Sequence, residues 1–234
     1  MNNSGFGGRM REWADRIWIA EAPLRFYGVP FGTRMTVVRL ADGGLLVHSP
    51  LDPEPLLRAE IDALGPVRYV VSPNKLHHLY LAGVLQAYPS AQLFAPPGLA
   101  SKRPDLRFDG VLGDTADPAW AADLDQTIVR GSRIMEEVVF FHAASRTLIV
   151  ADLCEHFGPW SSRLTRLMAR VANMYAKPRM PPDWQLSFRN REATRASFER
   201  ILRWDFDRVI LAHGALLERD AREIFTRAYA WALR

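Results

Sequence analysis

The sequence predicts an α/β fold in which β-sheets and helices are stacked in layers. An apolar strand at residues 67–71 is followed by a helix that ends near Tyr88 and then by a strand at 92–94. A second region rich in strands, at residues 127–151, precedes helices and one more strand near the C-terminus. Because strands alternate with helices along the chain, a layered α/β architecture is favoured over an all-helical or all-β one.

Each predicted element follows from a local pattern. Strands at 36–39 and 44–48 flank Ala-Asp-Gly-Gly at 41–44, which is a hairpin signal, and a further strand precedes them at 16–20. Apolar residues at helical spacing predict a helix over 53–64 that ends at Gly65. The second region contains strands at 127–130, 138–142 and 147–151. Near the C-terminus we predict helices at 192–204 and 215–233 and a strand at 208–212 between them.

The chain has 234 residues, 30 lysines and arginines against 26 acidic residues, and one cysteine, Cys154. We expect residues 1–12, rich in Gly and Asn, to be disordered and residues 13–234 to form one domain. A single cysteine excludes an internal disulfide, and no apolar run approaches the roughly 18 residues of a membrane span. The expected location is the cytoplasm. The net charge of +4 is too small to indicate nucleic acid as a partner.

Most of the six histidines follow predicted strands, where sites form in layered α/β folds. Two of them, His77 and His78, lie between a strand and a helix, and His213 follows the strand 208–212. Asp152 directly follows the strand 147–151. Imidazole and carboxylate groups are ligands for zinc, iron or manganese, so these residues are candidate metal ligands.

Three segments carry a resemblance to a known family. They are residues 69–83, which include His77, His78 and Ala82-Gly83, the strand with Asp152 at 147–152, and the strand with His213-Gly214 at 209–214. This order resembles the metallo-β-lactamase superfamily over roughly residues 15–230. The resemblance implies a four-layer αβ/βα sandwich, with two mixed β-sheets flanked by helices. It is closest to a branch described as a domain of unknown function.

The metal-binding motif of that superfamily is eroded in this sequence. The motif is His-x-His-x-Asp-His, and two alignments of it are possible. Aligned on Ala82-Gly83, its four ligand positions are Lys75, His77, Leu79 and Tyr80. Aligned two residues earlier, they are Pro73, Lys75, His77 and His78. Asp152 matches the bridging carboxylate of the family, and His213 matches its last histidine. The middle histidine has no equivalent, and Glu136 or Glu137 takes its place as a candidate oxygen ligand.

The resemblance implies a metal-dependent hydrolase of unknown substrate with a reduced, mononuclear or weak metal site. One divalent zinc, iron or manganese ion would be held by His77, Asp152 and His213, with His78 or Glu137, and Asp152 and His213 would serve catalysis. The alternative is a degenerate, non-catalytic binding module, with or without a metal ion. Asp152 could instead cap a helix, and His77 could form only hydrogen bonds within its loop.

Residues 159–180 form a basic segment in which Arg163, Arg166, Arg170, Lys177 and Arg179 occur without an acidic residue. Leucine and methionine residues at helical spacing accompany them, which predicts an amphipathic helix. Such a helix could be a lid, a membrane-surface element or an interface, or a solvated charged face over a core-facing stripe. The small-molecule substrate and the oligomeric state are not predicted by the sequence.

Overall fold

Successive residues of the central strands are buried on opposite faces, so each main sheet lies between two apolar layers. In the strand Thr33–Arg39, Val37 faces one apolar cluster and Val38 faces another. The same alternation occurs at Val138 and Val139. Strands buried on both faces are typical of sheets covered by other layers on each side. These features come from a computed structural model, which describes residues 9–234.

The described residues form fifteen strands and seven helices. The strands are β1 (Arg11–Ala14), β2 (Ile17–Ala22), β3 (Arg25–Phe26), β4 (Val29–Pro30), β5 (Thr33–Arg39), β6 (Leu45–His48), β7 (Val67–Val71), β8 (Gln92–Ala95), β9 (Gly110–Val111), β10 (Leu124–Val129), β11 (Glu137–His142), β12 (Thr147–Ile149), β13 (Glu155–His156), β14 (Arg208–Ile210) and β15 (His213–Gly214). The helices are α1 (Pro55–Leu64), α2 (Leu81–Ala87), α3 (Leu99–Lys102), α4 (Arg163–Val171), α5 (Pro182–Ser187), α6 (Arg191–Leu202) and α7 (Ala221–Ala228).

Both main sheets are mixed. The seven-stranded sheet has the order β1-β2-β5-β6-β7-β8-β9, antiparallel from β1 to β6 and parallel from β6 to β9. The four-stranded sheet has the order β10-β11-β12-β14, and β12 and β14 run parallel. Because β6, β7 and β8 run parallel, their carboxyl ends lie at one edge of the first sheet, and those of β12 and β14 lie at one edge of the second. The loops that carry the candidate ligands leave from these two edges.

The core consists of three apolar layers around the two sheets. Residues such as Ile19, Val71 and Phe140 fill the space between the sheets. Helices α1 and α2 cover the outer face of the first sheet, and α6 and α7 cover the outer face of the second. The order is therefore helix, sheet, sheet, helix, which confirms the predicted four-layer αβ/βα sandwich with two mixed sheets.

Two predicted helices are shorter in the structure. The basic segment 159–180 is helical only at Arg163–Val171, and the left-handed backbone of Asn173 and Ala176 accompanies the turns that follow. The predicted helix 215–233 was wrong in its first part. Leu217 pairs with Val209 in an isolated β-bridge, and α7 begins at Ala221.

The N-terminal prediction of disorder covers residues 1–12, of which 1–8 lie outside the described residues. Arg11 and Glu12 were misassigned, because they pair with β2 as part of β1. Among the residues that the structure describes, no helix is long and apolar enough to cross a lipid bilayer.

Candidate metal site

Three of the five predicted metal ligands meet between the two sheets. His77 lies in the turn that follows β7, Asp152 follows β12, and His213 begins β15. One ligand atom from each of them lies within 4.8 Å of the others. Oδ1 of Asp152 is 3.3 Å from Nε2 of His77 and 3.0 Å from Nε2 of His213, and each side chain is only 8% exposed. The three side chains therefore form a compact, buried group of two imidazoles and one carboxylate.

Hydrogen bonds on the far side of each ring fix the orientation of the histidines. Nδ1 of His213 donates to the backbone carbonyl of Gly32 at 2.6 Å, and Nδ1 of His77 lies 2.5 Å from Oγ of Ser49. A carbonyl can only accept, so Nδ1 of His213 carries the proton. Both Nε2 atoms are thereby directed at Asp152. A hydrogen bond from the second ring nitrogen is the usual way in which proteins orient a metal-binding histidine.

The charges of the group are strongly coupled. Burial lowers the pKa of His213, but the hydrogen bond to Asp152 and the charges of Asp152 and Glu155 outweigh burial and raise this pKa to about 9. Burial opposes ionisation of Asp152, yet the charge of His77 and hydrogen bonds from both histidines hold its pKa well below the usual range. Asp152 is therefore an anion that two imidazoles stabilise, which is the charge state required of a metal-binding carboxylate.

Asn74 holds two of the three residues in place. Its amide nitrogen donates to Oδ2 of Asp152 at 2.9 Å and to Glu137 at 2.8 Å. Its amide oxygen accepts from the backbone nitrogens of Leu76 at 2.8 Å and His77 at 3.2 Å. Asn74 is fully buried, and the only sequence signal for it is its position three residues before His77.

Glu137, a predicted ligand, lies behind the group rather than in it. Its carboxylate accepts hydrogen bonds from the backbone nitrogens of Ala151 at 2.8 Å, Asp152 at 2.9 Å and Leu153 at 3.2 Å. Burial and the charge of Asp152 raise its pKa to about 7. Because its oxygens bind the loop backbone, Glu137 shapes the loop that presents Asp152, and the metal-ligand prediction is corrected to this supporting role.

His78, the other predicted ligand outside the group, faces away from it. Its Nδ1 lies 3.2 Å from the guanidinium of Arg103, which also donates to the His78 carbonyl at 2.8 Å. Partial burial and the charges of Lys102 and Arg103 lower its pKa. His78 is therefore corrected from a ligand to a partner of Arg103.

The other histidines also lie apart from the group. Nδ1 of His142 is 2.8 Å from the hydroxyl of Ser145, and Nδ1 of His156 donates to the carbonyl of Ala215 at 3.2 Å. His48 packs edge-on against Phe140 in the core. Cys154 is buried, and burial raises the pKa of its thiol to about 12.

A cavity of about 810 Å³ opens onto the three residues. Its walls are largely apolar and come from the hairpin β3–β4, the loop after β7, and the segment around α4 and α5. The apolar side chains that line it include Phe31, Leu76, Met135, Met168, Met174 and Trp184. A cavity of this size and character can enclose a small organic molecule beside the imidazole–carboxylate group.

Glu155 is a further carboxyl group on the wall of this cavity, and sequence reasoning missed it. It is 5% exposed, and β13 pairs its backbone with His213 in parallel register. Within the described part of the chain, no side-chain hydrogen bond holds its carboxyl group, and burial raises its pKa to about 8. The available signal was an acidic residue directly after the apolar pair Leu153-Cys154.

The sandwich and its site at the strand ends define a class of protein. A metallo-β-lactamase from Pontibacter korlensis superposes with a TM-score of 0.65 at 13% identity, covering 97% of this chain and 99% of that one. The FIM-1 metallo-β-lactamase from Pseudomonas aeruginosa, in a mono-zinc form, superposes with a TM-score of 0.62 at 11% identity, covering 97% of each chain. A metal-soaked flavodiiron core from Synechocystis superposes with a TM-score of 0.65 at 11% identity, covering 97% of this chain and 60% of that one. The protein therefore has the metallo-β-lactamase fold.

The chain belongs to the family described as Domain of unknown function (DUF4336), which matches residues 14–169. The matched segment includes His77 and Asp152 and ends before His213. No curated protein matches the sequence. Since these three solved structures are 11–13% identical to this chain, they show its fold and leave its chemistry to be argued from its own residues.

Proposed function

We propose that His77, Asp152 and His213 bind one divalent metal ion and that the protein is a metal-dependent hydrolase. The observation that carries this proposal is the convergence of two Nε2 atoms and one carboxylate oxygen within 4.8 Å, with both Nδ1 atoms engaged elsewhere. Two imidazoles and a carboxylate suit zinc, iron and manganese, and zinc is the ion we favour. Three protein ligands that leave one side open to a cavity are typical of catalytic rather than structural zinc sites.

When bound, a divalent ion supplies Lewis acidity, which polarises a carbonyl or phosphoryl group and lowers the pKa of water. The residues of the chain perform the remaining tasks. Asn74 and Glu137 hold the Asp152 loop rigidly, so that the carboxylate is positioned before substrate arrives. Glu155 offers the carboxyl group that can accept or return a proton at the cavity wall. The apolar walls exclude bulk water from the reacting group.

The cavity favours a substrate with an apolar acyl or aryl group, namely an ester or a thioester. Apolar side chains dominate the walls, and the three methionines, Met135, Met168 and Met174, can adapt to chains of different shape. A phosphodiester would require several cations beside the metal, whereas two of the three cations on the cavity wall, Arg25 and Lys102, donate to backbone carbonyls, Arg25 to that of Gly28 at 3.0 Å. Nζ of Lys102 donates to the backbone carbonyl of Lys75 at 2.7 Å.

Metal content tests the first half of the proposal. Tag-free protein reconstituted with zinc, iron or manganese is measured by plasma mass spectrometry beside His77→Ala, Asp152→Ala and His213→Ala. We expect about one ion per chain in the natural protein and a loss of most of it in each variant. His78→Ala is the matched control, because the neighbouring histidine faces Arg103 and its loss leaves the metal content unchanged. Absence of metal after reconstitution would refute the proposal.

Hydrolysis of p-nitrophenyl esters from acetate to octanoate tests the second half, with bis(p-nitrophenyl) phosphate as the contrasting substrate. Each buried methylene contributes about 0.8 kcal/mol, or roughly a fourfold gain in kcat/KM, up to the length that fills the cavity. A rise with chain length and little turnover of the phosphodiester would support an acyl substrate. A faster reaction on the phosphodiester would contradict it.

A second candidate function is that of a binding module without catalysis. It is supported by Lys75, Leu79 and Tyr80 at the positions where the superfamily motif has ligands, and by the 61% exposure of Leu79 beside the cavity. Protein that binds one metal ion yet turns over neither class of substrate would favour this candidate over the hydrolase.

A further inference from the structure

The outward side of helix α4 carries an apolar stripe that contacts no other part of the core. Leu164, Leu167 and Val171 are 47%, 58% and 83% exposed. Their spacing of three and then four residues places them on one face of the helix. The opposite side is anchored, because Thr165 and Ala169 are buried and the Thr165 hydroxyl donates to the carbonyl of Pro30 at 2.5 Å. The exposed stripe is therefore a fixed feature of the folded surface.

Three arginines on the same helix give this surface a positive charge. Arg163, Arg166 and Arg170 lie beside the stripe, and the sequence has no acidic residue between 158 and 182. Throughout residues 9–234, no carboxylate forms an ion pair with any of these guanidinium groups. Arg166 contacts the carbonyl of Pro159 at 3.4 Å, and Arg170 lies over the ring of Tyr175 at 4.1 Å. We call the stripe and the three arginines together the α4 face.

Exposed aromatic residues lie close to the α4 face. Trp160 is 56% exposed just before the helix begins, and Tyr27 is 93% exposed on the β3–β4 hairpin that packs against α4. Aromatic side chains of this kind are enriched at the boundary between lipid and water. Apolar, aromatic and cationic groups thus occur together on one small region of the surface.

We propose that the α4 face docks the protein onto the surface of a lipid bilayer that contains anionic lipids. A helix with exposed leucines and flanking arginines suits the interface, where the apolar stripe enters the acyl boundary and the guanidinium groups meet phosphate and carboxylate headgroups. A second copy of the chain is a poorer occupant, because a two-fold interface places the same patch on both subunits and brings arginine against arginine. This proposal does not depend on the metal site.

Vesicle flotation tests the proposal with the full chain. The natural protein is mixed with phosphatidylcholine vesicles that contain 30% phosphatidylserine or none, at low and physiological salt. We expect binding to the anionic vesicles that weakens with salt, and little binding to the neutral ones. Replacement of the arginines (Arg163→Gln, Arg166→Gln and Arg170→Gln together) should reduce the partition coefficient about fivefold per arginine removed. Replacement of the stripe (Leu164→Ser, Leu167→Ser and Val171→Ser), with the arginines kept, should also reduce the partition coefficient.

The matched control replaces three exposed arginines elsewhere, Arg191→Gln, Arg219→Gln and Arg227→Gln. This control makes the same change in net charge and should bind much more tightly than the α4 arginine variant. Equal losses in the two sets would mean that net charge alone drives binding and would overturn the proposal. The proposal also fails if the natural protein does not float with anionic vesicles. Size-exclusion chromatography that shows a dimer dissociated by the stripe variant would assign the α4 face to a second copy instead.

Discussion

Replacing His48 by leucine is expected to make the protein less sensitive to acid. His48 is 2% exposed at the end of β6, with its ring edge-on to Phe140 at a centroid distance of 5.7 Å. Neither of its ring nitrogens has a hydrogen-bond partner among the described residues. Burial, followed by the charge of His77, lowers its pKa from 6.5 to about 3. The folded protein therefore keeps His48 neutral at a pH where the unfolded chain protonates it.

The size of the effect follows from the two pKa values. Because the folded pKa lies below the unfolded one, the contribution of His48 to stability is lost as the pH falls from about 6.5 toward 3. Between pH 7 and pH 5, protonation of His48 in the unfolded chain lowers the free energy of unfolding by about 2 kcal/mol. The His48→Leu variant lacks this contribution. It also removes two unpaired ring nitrogens from the core, so we expect it to be at least as stable at pH 7.

Urea unfolding followed by tryptophan fluorescence measures this difference, with a chelator present so that bound metal makes no contribution. The free energy of unfolding of both proteins is measured at pH 7 and pH 5. Phe140→Leu is the matched control, since it alters the same contact without a titrating group and should leave the pH dependence as it is in the natural protein. An equal loss of stability in the natural protein and in His48→Leu would refute the reasoning.

Three further substitutions test the supports of the site. Asn74→Ala removes the amide donor shared by two buried carboxylates, and we expect about 10–100-fold weaker zinc binding in competition with a chelating dye; unchanged affinity would contradict its role. Gly214 has φ +96° and no room for a Cβ against the β13 backbone. Gly214→Ala should therefore lower the free energy of unfolding in urea by about 3 kcal/mol or more. Gly113→Ala is the control, because Gly113 lies in open space, and it should lower this free energy by about 1 kcal/mol or less. Arg34→Lys keeps the charge but loses the forked contacts to the carbonyls that flank His213. We expect the free energy of unfolding in urea to fall by about 2–4 kcal/mol. A variant as stable as the natural protein would argue against a stabilising role of these Arg34 contacts.

Strands such as β11, which is buried on both faces, were predictable because most of their residues are apolar. The predicted strand at residues 67–71 coincides with β7. Local pattern failed where a short apolar run had no period long enough to decide its structure. Leu217 fits a helical pattern with the residues after it, yet it pairs with Val209 across a turn that Gly214 makes with a positive φ. That pairing is a long-range contact, which local sequence does not reveal.

The site was predictable to the extent that its residues follow strands. His77, Asp152 and His213 each come after a strand end, and the structure brings them together. The direction of a side chain in a loop was not predictable, and so His78 and Glu137 were given ligand roles although one faces Arg103 and the other binds the loop backbone. Asn74 and Glu155 were missed because their importance depends on burial and on neighbours distant in sequence.

The separation of the three residues along the chain would couple the proposed metal binding to folding. His77 follows β7 of the first sheet and lies 75 residues before Asp152, whereas Asp152 and His213 follow β12 and β14 of the second sheet. The unfolded chain therefore has no such group, and an ion held there would bind the folded protein alone. At a free metal concentration about 100 times the dissociation constant, this linkage adds about 2.7 kcal/mol to stability. The ion would act as a crosslink between the two halves of the sandwich, and the midpoint of thermal unfolding would report its concentration.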